Sequence, residues 1–194
     1  MSFFDAAYRG TPPWDIGRPQ PAVVRLEAAR EFAGDVLDAG CGTGENAYFL
    51  AEKGHPTWGV DLSATAIDLA RGKAAAHSGP VRFRVGSALA LSREPDRFDS
   101  ILDCGLFHTF SDDERARYVA ELRAVLRARG RYFVLCFSER EPADWGGPRR
   151  VRAEELERAF ADGWRKRWIR PERFETRWPE VQGHAWLGSF ERAP

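Results

Sequence analysis

The stretch Asp35-Val36-Leu37-Asp38-Ala39-Gly40-Cys41-Gly42-Thr43-Gly44-Glu45-Asn46 decides the fold of this chain. Its short apolar run, Val36-Leu37, is typical of a buried strand, which we expect to end at Asp38. Three glycines at alternate positions then predict a tight turn, and the residues from Glu45 onward predict a helix. A strand, a glycine turn and a helix together bring bare backbone N–H groups and a helix N-terminus against a ligand.

A second acidic residue follows the next predicted strand. The run Trp58-Gly59-Val60 leads to Asp61, at the carboxyl end of a strand predicted over 56–61. A carboxylate in this position is placed to bind the two hydroxyl groups of a ribose.

Strands and helices alternate along most of the chain. After residue 138 two more strand candidates occur with no crossover helix between them, which implies an antiparallel hairpin. The pattern therefore predicts an α/β fold, a doubly wound and mostly parallel sheet with an antiparallel C-terminal hairpin. The predicted helices are 22–32, 45–53, 64–75, 112–128 and 152–160, and the predicted strands after 56–61 are 81–85, 98–104, 131–137, 164–169 and 184–192.

Length and composition limit the class of protein. The 194 residues suit a single domain over 1–194, and equal totals of 29 basic and 29 acidic residues favour no nucleic acid partner. Three cysteines without C-x-x-C spacing indicate reduced thiols and no metal site. No run reaches the ~18 apolar residues of a membrane span. We therefore expect a cytoplasmic protein with no membrane association.

The N-terminal segment 1–21 contains an irregular stretch, Gly10–Pro21, in which four prolines prevent a helix from persisting. Trp14 lies in its middle. Two interpretations are open: the tryptophan plugs the core, or the segment is a lid that closes an apolar wall over a ligand.

The glycine turn by itself does not identify the ligand, since nicotinamide, flavin and S-adenosylmethionine (SAM) sites all use one. The dinucleotide fingerprint requires a glycine at its sixth place, and here that place is Glu45. An acidic side chain at the helix start would repel a pyrophosphate. SAM contains no phosphate and carries two positive groups, so acidic neighbours such as Asp38 and Glu45 are compatible with it.

Two motifs then support a family resemblance. Val36–Gly44 resembles the glycine motif of class I SAM-dependent methyltransferases, and Gly59–Ser63 resembles their second motif; 98–103 and 130–132 continue the match. The resemblance implies a Rossmann-like seven-stranded sheet, SAM as cofactor and S-adenosylhomocysteine (SAH) as product. Pro13–Pro21 is similar to the N-terminal segment of the thiopurine, thiol and halide methyltransferases and of tellurite-resistance methyltransferases, in which a tryptophan loop covers SAM and the acceptor.

The resemblance also assigns roles to residues. It places the glycine turn at the methionine part of SAM, Asp61 at the ribose and Leu62 at the adenine. The family usually has an acid for the adenine amine after the third strand, but here Ser87 would have to replace it. The implied cofactor-binding residues are Trp14, Asp38, Gly40, Cys41, Gly42, Asp61, Leu62, Ser87, Ala88, Asp103 and Gly105.

His108 is the one histidine predicted to lie beside the acceptor, after the strand 98–104. Two interpretations are open: it acts as a general base or as a hydrogen-bond donor that orients the acceptor, or it is a structural histidine bonded to backbone. Phe107, Phe110 and Trp145 could line an apolar pocket or belong to the core. Arg149 and Arg150 could bind an anionic acceptor or form a solvated pair.

The predicted reaction is methyl transfer from SAM to the S, O or N atom of a small-molecule acceptor by in-line displacement, with a thiol or heterocycle as the first candidate. A SAM-binding regulatory protein and a nicotinamide-dependent oxidoreductase remain alternatives. The sequence does not set the oligomeric state.

Overall fold

A computed structural model describes residues 3–142 and 146–194 of the chain. Trp145, which was predicted as a possible pocket residue, lies outside these residues. The strands are β1 (Val36–Ala39), β2 (Thr57–Asp61), β3 (Val81–Val85), β4 (Phe98–Cys104), β5 (Leu126–Phe137), β6 (Trp164–Arg173) and β7 (His184–Arg192). The α-helices are α1 (Phe3–Ala7), α2 (Pro21–Ala28), α3 (Glu45–Glu52), α4 (Ala64–Gly72), α5 (Asp112–Val125) and α6 (Ala153–Ala159), with 3₁₀ turns at Ala74–Ala76, Ala88–Arg93 and Phe107–Thr109.

The strands form one seven-stranded sheet in the order β3-β2-β1-β4-β5-β7-β6. The first five strands pair in parallel, whereas β7 runs antiparallel to both β5 and β6. The predicted fold class is therefore confirmed, including the C-terminal hairpin. The chain reverses its direction of winding between β1 and β4, and in such sheets ligands bind outside the carboxyl ends of the strands at that point.

Two apolar clusters cover the two faces of the sheet. Successive residues of a strand point to opposite faces, so Leu37 and Ile101 belong to one cluster and Val36 and Leu102 to the other. All four side chains are fully buried. Burial on both faces explains why apolar residues follow one another directly in these strands, as in Val36-Leu37 and Ile101-Leu102. None of the described helices combines the length and apolar character needed to cross a membrane.

Two helices differ from their predictions. Helix α2 ends at Ala28 and not at Phe32, because Arg30 takes a left-handed conformation with φ of 54°. Phe32 then packs against Phe133, and their ring centroids are 4.9 Å apart. Helix α4 ends at Gly72. Its buried face is formed by Ala66, Ile67 and Ala70, whereas Leu69 is 45% exposed.

The boundary between α5 and β5 was also predicted wrongly. Helix α5 ends at Val125 and Leu126 already pairs with Phe98 in the sheet, although the apolar spacing had continued the helix to residue 128. Leu126 is fully buried, so it satisfies the apolar pattern of a helix as well as that of a strand. Apolar periodicity alone could not separate the two.

Candidate functional site

A cavity of about 850 Å³ opens where β1, β2 and β4 end. The register places Ala39 beside both Val60 and Asp103, so the three carboxyl ends meet at one edge of the sheet. Most of the predicted site residues border this cavity, whereas the side chains of Asp38 and Asp103 do not. Those that border it are Trp14, Gly40, Cys41, Gly42, Asp61, Leu62, Ser87, Ala88, Gly105 and His108.

The glycine turn after β1 adopts left-handed backbone conformations. Gly40, Gly42 and Gly44 have φ values of 73°, 54° and 86°. A β-carbon on Gly42 would lie 2.6 Å from the hydroxyl oxygen of Tyr8, which is too short for two non-bonded atoms, so the position favours glycine. The amides of Gly40 and Cys41 both donate to the carbonyl of Val60, at 2.8 and 3.1 Å. The turn is thus attached to β2 and presents bare backbone to the cavity.

Asp61 is held by backbone donors on both carboxylate oxygens. Its Oδ2 accepts from the amide of Gly42 and its Oδ1 from the amide of Ser63, each at 2.8 Å. Burial raises the pKa of Asp61, and these backbone hydrogen bonds oppose that shift. A carboxylate oxygen can accept more than one hydrogen bond, so each oxygen can still accept from a hydroxyl group in the cavity.

Asp38 is a buried carboxyl group behind the glycine turn. It is 1% exposed, neither side-chain oxygen has a hydrogen bond of normal geometry among the described residues, and the nearby amide of Ala47 offsets only part of the effect of burial. Burial, together with the charges of Asp61 and Asp103, raises its pKa to about 8. Leaving such a group unsatisfied is unfavourable, so its place two residues before Gly40 suits a cationic ligand at the glycine turn.

Asp103, which was predicted among the cofactor-binding residues, has both carboxylate oxygens engaged inside the protein. Its Oδ1 accepts from the amides of Leu106 and Phe107, at 2.9 and 3.2 Å, and its Oδ2 accepts from the hydroxyl of Tyr132, at 2.9 Å. The group is fully buried, and burial raises its pKa to about 6. Asp103 therefore shapes the turn after β4, which brings Gly105 to the cavity wall.

His108 borders the acceptor side of the cavity with both ring nitrogens engaged. Its Nδ1 accepts from the amide of Phe137 at 3.0 Å, and the ring donates to the carbonyl of Gly105. The side chain is 4% exposed, and burial followed by the charge of Arg115 lowers its pKa to about 3. The imidazole is thus neutral, with its proton on Nε2. Because the Nδ1 lone pair is already used, this geometry does not support a general base and matches the structural interpretation.

The apolar wall of the acceptor side differs from the prediction. Phe110 borders the cavity, but Phe107 is fully buried in the core, beneath the guanidinium of Arg115. Sequence reasoning missed Phe137, Phe174 and Trp178, which also border the cavity. They come from the end of β5 and from the connection between β6 and β7, and no motif in the sequence marks them.

The N-terminal segment covers the cavity and is attached on two sides. Asp15 accepts a hydrogen bond from the hydroxyl of Thr43 in the glycine turn, at 2.9 Å. On the other side, the Gln20 side chain donates to the carbonyl of Glu175 at 2.8 Å and accepts from its amide at 3.0 Å. Trp14 donates to the hydroxyl of Tyr8 at 2.9 Å. A lid function for 1–21 stays a prediction.

Comparison with known proteins identifies the family. A family model described as "Methyltransferase domain" matches residues 36–130. The chain is 36% identical over 174 residues to the 2-heptyl-1-hydroxyquinolin-4(1H)-one methyltransferase of Mycobacteroides abscessus, covering 84% of this chain and 77% of that protein. The chain belongs to the class I SAM-dependent methyltransferases. This methyltransferase is also 29% identical over 153 residues to "Probable thiol methyltransferase 2" of Arabidopsis thaliana, covering 78% of this chain and 67% of that protein.

Solved structures share the fold of this chain. One, described by the words "Conversion of a Disulfide Bond into a Thioacetal Group during Echinomycin Biosynthesis", superposes with a TM-score of 0.86 at 39% identity, covering 98% of this chain and 91% of the other. A Burkholderia thailandensis 1,6-didemethyltoxoflavin-N1-methyltransferase with bound SAH shares the fold, with a TM-score of 0.71 at 24% identity, covering 98% of this chain and 80% of the other. Because the chain belongs to the class I SAM-dependent methyltransferases, SAM is its cofactor, and its relatives place it among the methyltransferases of small molecules. The oxidoreductase alternative is abandoned.

Proposed function

We propose that this methyltransferase acts on a small, largely apolar acceptor whose nucleophile is a thiol or an acidic group on a heterocycle. The acceptor ionises with little help from the protein, which positions it for in-line attack on the methyl carbon of SAM. The observation that carries this proposal is the occupied Nδ1 lone pair of His108.

At the cofactor end, three features fit the parts of SAM. The Asp61 carboxylate accepts from the ribose hydroxyls, as its two free lone pairs allow. The bare backbone of the turn at Gly40–Gly42 admits the methionine portion. Asp38, buried behind that turn and outside the cavity lining, is stabilised as a carboxylate by the positive charge of the ammonium group of that portion. Leu62, Ser87 and Ala88 border the same cavity and are assigned to the adenine.

At the acceptor end, the described residues offer an apolar wall and weak bases only. Phe110, Phe137 and Phe174 border the cavity there. Glu114 also borders it, but its Oε2 accepts from both the amide and the hydroxyl of Ser111, at 2.9 and 3.0 Å, and these bonds lower its pKa. Burial raises the pKa of the Cys104 thiol well above its usual value, which keeps it protonated.

Weak bases suit acceptors that are acidic themselves. A thiol has a pKa of about 8.5 before any tuning, so a useful fraction is thiolate at neutral pH, whereas an alcohol would need a strong base. Alignment of acceptor and methyl group can then contribute about 7–11 kcal/mol to lowering the barrier. The N-hydroxylated heterocycle and the thiol in the names of two relatives are consistent with this chemistry.

A panel of acceptors matched in size tests the proposal. Aromatic thiols, N-hydroxy heterocycles, phenols and benzylic alcohols would be compared by the rate of SAH formation at pH 7. We expect rates to rise with the fraction of acceptor that is ionised and to be negligible for the alcohols. Faster methylation of alcohols than of thiols would overturn the proposed acceptor class, while leaving the family assignment untouched.

A further inference from the structure

A second cleft, of about 740 Å³, lies between α5 and α6 and is separate from the cavity described above. Among its described lining residues, arginines outnumber acids. Even without Arg150, four guanidinium groups face two carboxylates. The arginines are Arg115, Arg149, Arg152 and Arg158, and the acids are Asp112 and Glu155.

The two carboxylates are shared by only two of these arginines. Asp112 bonds Arg149 at 2.5 Å, and Glu155 bonds both Arg149 and Arg115, the latter at 3.2 Å. Arg152 and Arg158 are exposed and form no ion pair within the described part of the chain. The cleft therefore has unbalanced positive charge at its rim.

Arg115 forms the floor of the cleft and is 5% exposed. Its Nε donates to the carbonyl of Phe107 at 3.3 Å and its Nη1 contacts Glu155, but its buried Nη2 has no hydrogen-bond partner among the described residues. Burial and the neighbouring charge of Arg149 lower the pKa of Arg115. An unused buried donor at the base of a positive cleft is the arrangement that an oxyanion would complete.

We propose that this cleft binds an oxyanion, the carboxylate or phosphate group of a small solute, on Arg115, Arg152 and Arg158. The fork of donors on each guanidinium matches the planar or tetrahedral oxygens of such a group. Arg115 also connects the cleft to the acceptor cavity, because it holds the carbonyl of Phe107 at the start of the turn that carries His108. Occupation of the cleft therefore alters the acceptor side of the cavity.

To test this proposal, the SAM-free protein is titrated with inorganic phosphate and, separately, with citrate. Binding is measured by calorimetry at constant ionic strength. We expect saturable binding that is at least tenfold weaker in Arg152→Gln/Arg158→Gln. Saturation by phosphate alone identifies a phosphate ligand, and saturation by citrate alone a carboxylate ligand. The matched control is Arg93→Gln/Arg117→Gln, which removes two exposed arginines that do not line the cleft and should bind as the wild type does.

Arg115→Lys tests the floor of the cleft while keeping its charge. SAH affinity, which does not involve the cleft, reports whether each variant is folded and distinguishes failure here from failure of the proposed acceptor chemistry. Hydrogen exchange over 105–110 should slow on addition of the anion in the wild type but not in Arg115→Lys. Absence of saturable binding by either anion, or equal weakening in the two double variants, would overturn the proposal.

Discussion

The amide of Gly42 donates a hydrogen bond of 2.8 Å to the carboxylate of Asp61, joining the glycine turn to the end of the second strand. The other carboxylate oxygen is held by the amide of Ser63, also at 2.8 Å. One side chain therefore fixes the shape of the turn and also faces the cavity. The two sequence motifs that indicated SAM binding are physically a single unit.

Substitution of Asp61 should weaken cofactor binding strongly. Asp61→Ala removes the proposed ribose acceptor and leaves the amide of Gly42 without its partner, at a cost of about 1–3 kcal/mol. We expect SAH affinity, measured by calorimetry, to fall at least tenfold. Asp68→Ala, which alters a mostly exposed carboxylate on α4, is the control and should bind normally. Unchanged affinity in Asp61→Ala would remove the ribose assignment.

Asp38 predicts a pH dependence of stability in the absence of cofactor. Burial raises its pKa from 3.8 to about 8, so the folded protein keeps a proton that the unfolded chain releases above about pH 4. The contribution of the protonated Asp38 to the free energy of unfolding is therefore fully present below about pH 4. It is lost as the pH rises towards 8. Denaturant unfolding of Asp38→Asn, compared with the wild type between pH 4 and 8, should show a smaller decline of the unfolding free energy.

The same carboxyl group predicts that cofactor binding releases a proton. An ammonium group beside Asp38 would stabilise its charged form and bring its pKa below 7. The heat of SAH binding at pH 7 should then vary with the ionisation enthalpy of the buffer, and this variation should disappear in Asp38→Asn. A buffer-independent heat in the wild type would show that Asp38 does not face the ammonium group.

Much of the fold could be predicted because its decisive signals are local. The apolar residues of β1 and β4, the turn at Gly40–Gly44 and the start of the helix at Asp112 each depend on a few neighbouring residues, and all were placed correctly. The errors fall where local signals conflict. Leu126 is apolar at a position that suits either a helix or a strand, and only its pairing with Phe98 decides between them.

The acceptor side was less predictable because it depends on contacts between distant segments. Asp103 occupies the expected place near the end of β4, yet its carboxylate is buried and accepts a hydrogen bond from the hydroxyl of Tyr132, 29 residues away. His108 has the expected location, but the amide of Phe137 occupies its Nδ1. Phe174 and Trp178 reach the cavity only through the path of the connection between β6 and β7. Sequence spacing contains none of this information.

The hydrogen bond between Thr43 and Asp15 predicts how the N-terminal segment controls ligand release. Thr43→Val preserves the shape of the side chain but removes the donor that holds Asp15 at 2.9 Å. We expect SAH to dissociate several-fold faster, in stopped-flow measurements, while the association rate changes little. Thr57→Val is the matched control, because it removes a hydroxyl at the opposite end of the sheet, where it bonds the carbonyl of His55. Equal dissociation rates in the two variants would mean that this contact does not retain the ligand.

The engaged ring of His108 predicts that the pH dependence of turnover follows the acceptor and not the enzyme. Burial lowers the pKa of His108 to about 3, so the imidazole stays neutral across the range from pH 5 to 9 and contributes no inflection there. With a thiol acceptor, kcat/KM should rise with pH up to the thiol pKa, and a more acidic thiol should shift the whole profile downward by the same amount. His108→Gln should reduce kcat less than tenfold and leave that profile in place, and His184→Gln, away from the cavity, should behave as the wild type. The opposite result would be an inflection near pH 6.5 that does not depend on the acceptor and is absent in His108→Gln. It would show that His108 acts as a general base and that the acceptor does not supply its own ionised nucleophile.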